Sequence, residues 1–196
     1  MKNSKGNSTK RLVLCAVLTA IVAVLQFMGA FIKFGPFSIS LVLVPIVVGA
    51  AICGTGAGAW LGLAFGITVL LSGDAALFMA VNIPGTIATV LLKGMLCGLA
   101  AGLVYKSLAG KNIYIAVIAA ALVCPIVNTG VFLLGCKIFF MDTIREWAVQ
   151  AEFGDNAGGY MIISLVGLNF IAETVINIVL SPIITRLIKM KSNFSY

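Results

Sequence analysis

The stretch YMIISLVGLNFIAETVINIVLSPIITRLI, Tyr160 to Ile188, decides the fold. It is long enough, at ~1.5 Å per residue, to cross the ~30 Å hydrocarbon core of a bilayer as a helix. Most of it is Ile, Val, Leu and Phe, but Asn169, Glu173 and Asn177 recur at intervals of four. That spacing puts all three on one helical face. A carboxylate in mid-membrane is costly and normally faces a protein interior or a hydrated cavity. A single asparagine reads equally well as an interhelical hydrogen bond. Three polar residues in one line, one of them ionisable, predict a lined cavity.

Composition places the whole chain in the membrane. Of its 196 residues 61% are hydrophobic and 10% charged, and the mean hydropathy is +1.16. A soluble domain carries about 25% charged residues. The net charge of +7 does not indicate nucleic acid, because the basic residues sit between apolar runs, as positive-inside retention requires. The five cysteines are scattered, with no CxxC, and there is no histidine. A zinc site, a disulfide framework and Cys–His or Ser–His catalysis therefore have no support, and no cofactor is expected.

Outward from the last run, the chain divides into a basic segment 1–11, a membrane domain 12–188 and a basic tail 189–196. Leu12 to Ile32 is too long for a signal-peptide core and reads as a retained helix, with Ala16 and Ala20 as a small-xxx-small pair. Phe31 to Ser38 reads as an aromatic turn broken at Gly35-Pro36. Ile39 to Cys53 is short and holds Pro45, so it reads as either kinked or partly sheltered from lipid by its neighbours. In the next run, to Ser72, Gly54, Gly58, Gly62 and Gly66 form one smooth face for close helix packing. The loop Ser72 to Gly85, holding Asp74 and Asn82, is too apolar to be simply solvated and reads as a lid.

Thr86 to Tyr105 has two faces, one with Thr86, Thr89 and Lys93, the other with Gly94, Gly98 and Gly102. Lys93 could snorkel to the interface, but two threonines on its face favour a polar interior. Asn112 to Phe140 bends or tilts at Pro125, with Asn128 and Thr129 just beyond it. Met141 to Gly159 reads as a short surface helix capped by Asp142 and stopped by Gly154, with Trp147 at headgroup level.

With six spans, the basic residues of both ends and of the Lys106–Lys111 loop fall on one side, and Asp74, Asp142, Glu146, Glu152 and Asp155 on the other. The expected architecture is therefore an all-α, six-transmembrane-helix bundle with both termini cytoplasmic. In that topology Lys93, Asn128, Asn169 and Glu173 share the outer half of the membrane. Thr89 and Asn82 complete the candidate substrate-binding set. The pocket is covered by the loops Phe31 to Ser38 and Ser72 to Gly85, and a small polar molecule captured from outside would suit it.

A small basic six-helix protein of this kind resembles the substrate-binding S components of energy-coupling-factor (ECF) vitamin transporters. The run LVLVPIVVGAAICGTGAGAWLGLAFG, Leu41 to Gly66, is similar to that family's second and third helices. The resemblance implies high-affinity capture of a vitamin at a bacterial-type cell membrane. Docking on a transmembrane T component driven by two ATPase subunits would follow. It assigns Ala16 and Ala20 to the T component and matches Asn128 and Asn169 to pocket asparagines. Lys93 and Glu173 are not family-wide, so they are candidates for this member's specificity. An anionic substrate suits Lys93, pantothenate being the named candidate and riboflavin the open alternative. The family's metal-binding members have an N-terminal histidine, which is absent here.

Two other classes compete. An autonomous secondary transporter or channel would use Glu173 and Lys93 as an ion relay. A membrane enzyme is disfavoured, since a lone intramembrane carboxylate offers no acid/base pair. The chain also lacks a GxxxxGK[ST] loop, so ATP would have to be handled by partners.

Overall fold

The computed structural model describes the backbone of residues 3–29, 33–34, 37–38 and 41–193, and the side chains of 9–29 and 41–189. Helix α1 spans Asn3–Gly29, so residue 11 is not a break in secondary structure. Helices α2 (Leu43–Cys53) and α3 (Thr55–Leu71) follow. Between them Gly54 has φ +100°, a backbone conformation that side-chain-bearing residues avoid. Gly54 thus separates two helices and does not belong to the packing stripe. Pro45 also differs from expectation. It sits in the first turn of α2, where its missing N–H costs no helical hydrogen bond, so it does not kink the helix.

A single turn, α4 (Ala76–Met79), leads to α5 (Ile83–Leu108), α6 (Ile113–Phe139) and α7 (Met141–Gln150). Another turn, α8 (Ala157–Tyr160), runs through a π-helical stretch, Met161–Gly167, into α9 (Leu168–Asn193). In the expected aromatic turn, β1 (Lys33–Phe34) pairs antiparallel with β2 (Phe37–Ser38), Lys33 opposite Ser38. The cover expected from Phe31 to Ser38 otherwise lies outside the described residues.

Four helical segments are long and apolar enough to cross a membrane: Thr9–Gly29, Ile83–Leu108, Ile113–Phe139 and Ala157–Lys189. The other two expected runs form shorter apolar helices, α2 with 11 residues and α3 with 17. The shortness of α2 has a physical context. It packs against α1, α3, α5, α6 and α9 and is buried from Pro45 to Ala50, so protein surrounds it.

Helices α3 and α5 are joined through their glycines. A Cβ on Gly62 would strike the Gly94 carbonyl, and one on Gly94 would strike the Gly62 carbonyl. Gly58 and Gly98 are placed the same way. Two apolar helices gain nothing by leaving lipid for one another, so the close backbone approach supplies the attraction through packing. The expected glycine faces thus meet each other. That turns Thr86, Thr89 and Lys93 away from α3's backbone towards α6.

The loop after α3 folds back into the bundle. Phe78, 3% exposed, meets Phe132, Phe140 and Trp147 edge-on at centroid distances of 5.5, 5.1 and 5.6 Å. Trp147 is thus half-buried against Phe78. Helix α7 also departs from expectation. Its N-cap is Phe140, with no side-chain cap bond, and Asp142 sits in the first turn, 3.3 Å from the Arg145 guanidinium. Both partners are exposed, so this pair contributes little. The helix ends at Gln150, and Gly154 lies in the turn beyond it.

Candidate functional site

Helices α5, α6 and α9 enclose a cavity lined by Lys93, Asn128, Thr129, Phe132, Asn169, Phe170 and Glu173, with Leu165 and Val166 from the π stretch. The space it leaves for water-sized contents is about 30 Å³. Each polar side chain arrives by a simple local rule. Asn128 is one turn beyond Pro125 on α6, and Phe132 is one turn further along the same face. Asn169 and Glu173 stand a turn apart at the start of α9. The π winding just before them is a geometry common at functional sites.

A second cavity, with about 20 Å³ of space for water-sized contents, lies between α3, α4, α5 and α6. Asp74, Thr86, Thr89 and Lys93 supply its polar wall, while Val69, Ala75, Phe78, Val90 and Phe140 make the rest apolar. Lys93 and Phe132 line both cavities. The Lys93 ammonium lies 5.2 Å from the Phe132 ring centroid and 5.7 Å from that of Phe65. Such placement stabilises a cation by about 0.5–2 kcal/mol when water is excluded. Among the described residues, no carboxylate oxygen lies within 4.0 Å of the Lys93 ammonium.

Several buried oxygens around these spaces have no partner among the described residues. They include Oδ1 of Asn128, Oδ1 of Asn169 and Oγ1 of Thr89. Buried polar atoms are nearly always hydrogen-bonded, so the two asparagine orphans on residues lining the first cavity are consistent with a polar occupant there. Glu173 is 3% exposed, and its backbone carbonyl accepts from Asn177 Nδ2 at 2.8 Å. Asn177, fully buried, lies one turn past Glu173 and does not line the cavity.

Of the sequence-derived candidates, Lys93, Asn128, Asn169 and Glu173 come together in the first cavity, and Thr89 lies in the second. Asn82 lines neither. Its side chain caps α5, accepting from the Gly85 N–H at 3.0 Å. Thr86 lines the second cavity, but its hydroxyl donates to the Asn82 carbonyl at 2.7 Å. Asp74, expected in the lid loop on the outer side, belongs with the cavity residues although the candidate set does not include it. It lines the second cavity and accepts from Gln26 Nε2 of α1 at 3.3 Å. Nothing in sequence spacing links residues 26 and 74. Phe132 and Phe170 were legible in principle, one a turn from Asn128 and the other beside Asn169.

Ala16 and Ala20 lie on an exposed face of α1. Ala16 lines a surface groove between α1 and α3 with Thr19 and Trp60. Trp60 is 53% exposed and donates from Nε1 to Thr19 Oγ1 at 3.2 Å.

Residues 10–185 match the family described as "ECF transporter, substrate-specific component". No curated protein matches the sequence. Among solved structures, ThiT from Listeria monocytogenes is similar in fold, with a TM-score of 0.61 and 22% identity over 95% of this chain and 97% of that one.

Proposed function

The chain belongs to the substrate-specific component family of ECF transporters, and we propose on that basis that it is the capture subunit of an ATP-driven vitamin importer. It is a multi-pass membrane protein built for transport, not an enzyme. The observation that carries the reading is the cavity of α5, α6 and α9, which is lined together by Lys93, Asn128, Asn169 and Glu173. The substrate is a small water-soluble vitamin or related nutrient with an anionic group set against Lys93. Pantothenate, an acid that also carries hydroxyl and amide donors, is the representative ligand.

Six spans with cytoplasmic termini would open this pocket to the outside. The short helices α2 and α3 then count as the second and third spans. Ala16 and Ala20, exposed on α1, are available to a T component, and two ATPase subunits would supply the energy. The rival reading, an autonomous transporter with an ion relay between Lys93 and Glu173, has less support, since the Lys93 ammonium lies against aromatic rings.

Co-expression with a T component and two ATPases tests the proposal. Co-purification, and uptake in liposomes only when ATP reaches the ATPases, is the expected result. Ion-driven uptake by the purified chain alone would overturn it.

A further inference from the structure

An open groove of about 640 Å³ runs between α1 and α3, far roomier than either interior cavity. That volume falls within the ~300–1,000 Å³ usual for ligand sites. The groove exists because the residues along it are small: Cys15 and Ala16 on α1, Cys53 at the end of α2, and Ala57 on α3. Trp60 forms one end. Its indole is tied to the Thr19 hydroxyl at 3.2 Å, and that hydroxyl in turn donates to the Cys15 carbonyl at 2.8 Å. The ring is therefore a held wall, although it is 53% exposed.

Arg11 forms the other end of the groove. It is the third residue of the span Thr9–Gly29, so it stands near the headgroup level while the groove runs on into the apolar layer. From Arg11 to Thr19 the distance along α1 is about 12 Å at ~1.5 Å per residue. Arg11 is exposed, as is Lys10 beside it, and among the described residues no carboxylate oxygen lies within 4.0 Å of its guanidinium. A planar guanidinium at the interface, continued by an apolar trough, matches a molecule with a phosphate at one end and a hydrocarbon chain behind it. A second copy of the chain fits this face poorly. In the six-span arrangement the loop acids lie at the opposite end of the bundle, so a parallel copy brings no carboxylate to Arg11.

We propose that the groove binds one anionic phospholipid, its phosphate on Arg11 and an acyl chain laid along Ala16 and Ala57 to the ring of Trp60. Ala16 also belongs to the face proposed for the T component, so the lipid occupies the free chain and leaves on docking.

The test places the full chain in phosphatidylcholine vesicles. Phosphatidylglycerol or phosphatidylcholine with brominated chains is added at the same low mole fraction, and quenching of tryptophan fluorescence is read. The anionic lipid is expected to bind beside the tryptophan about fivefold more tightly, the equivalent of the ~1 kcal/mol that one basic residue contributes near a membrane surface. Arg11→Gln, at an exposed position, should remove most of that excess, and Arg11→Lys should keep part of it. Ala16→Phe, on the exposed face of α1, fills the trough and should also lower it. Trp60 and Trp147 are the two tryptophans of the chain, so the excess should vanish in Trp60→Phe. Equal quenching by the two lipids makes the groove ordinary lipid-facing surface and overturns the proposal. An excess that survives Arg11→Gln or Trp60→Phe puts the lipid elsewhere and overturns it too. Weak quenching by both lipids, with cross-linked dimers, assigns the groove to a second copy and refutes the lipid.

Discussion

Phe78 stands edge-on to Phe132, with ring centroids 5.5 Å apart and planes at 87°. One ring belongs to the loop after α3 and the other to the middle of α6, where it lines both interior cavities. Phe78→Ala removes three edge contacts at once and should destabilise the folded protein by about 3–5 kcal/mol, as other buried Phe→Ala changes do. Phe78→Leu should recover more than half of that loss. Thermal unfolding in detergent measures both, and equal melting of Phe78→Ala and wild type would remove Phe78 as the anchor of the loop.

The glycine contact between α3 and α5 predicts a contrast within one helix. Gly62→Ala places a Cβ against the Gly94 carbonyl, and backbone cannot rotate away as a side chain could. A cost of about 1–3 kcal/mol is expected, as for overpacking elsewhere. Gly56→Ala meets nothing within 4 Å and should be neutral, or stabilising by about 0.5–1 kcal/mol through helix propensity. Melting temperatures of the two variants should therefore move in opposite directions from wild type, or Gly56→Ala should stay put while Gly62→Ala falls.

Asn128→Ala and Asn169→Ala should each weaken substrate binding by about 1–3 kcal/mol, the cost of leaving a buried ligand group unpaired. Stability without ligand should barely change, because the Oδ1 atoms of both have no partner among the described residues to lose. Asn177→Ala is the internal control. It breaks a bond to the Glu173 carbonyl and so should alter stability more than affinity. Wild-type binding in both pocket variants would move the site elsewhere.

Lys93→Met keeps most of the side-chain volume beside Phe65 and Phe132 and should fold normally. It should lose affinity for acids and not for their neutral amides. A double-mutant cycle with Glu173→Gln, scored for stability and for binding, separates this role from a permanent ion pair. Strong coupling in stability, with acid and amide ligands affected alike, would make Lys93 structural.

Ala16→Trp and Ala20→Trp place large rings on an exposed face of α1. Uptake by the assembled transporter should fall to background while substrate binding by the isolated chain is unchanged. Full uptake in both variants would exclude this face from docking.

Much of the architecture is legible along one helix at a time. Period-four spacing placed Gly58 and Gly62 on one side of α3, Gly94 and Gly98 on one side of α5, and Thr89 with Lys93 on another. It also placed Asn169 and Glu173 together, because neighbours on a helix face are set by the rise and twist of a single chain. The capping of α5 by Asn82 follows a local rule too, and it takes Asn82 out of the candidate site. The surface helix shows the opposite error: Asp142 resembles a cap in sequence, yet α7 starts one residue earlier, at Met141.

The sequence by itself determined the membrane class, the apolar runs and which polar residues share a face, since each follows from composition or from the period of one helix. Only the tertiary structure decided that Phe78 would plug the bundle beside Phe132, that Asp74 would meet Gln26, and that Lys93 would stand over Phe65 and Phe132 and line two cavities. Those pairings join different helices and loops. Their distances depend on the angle and depth at which α1, α3, α5 and α6 pack, which no single helix encodes.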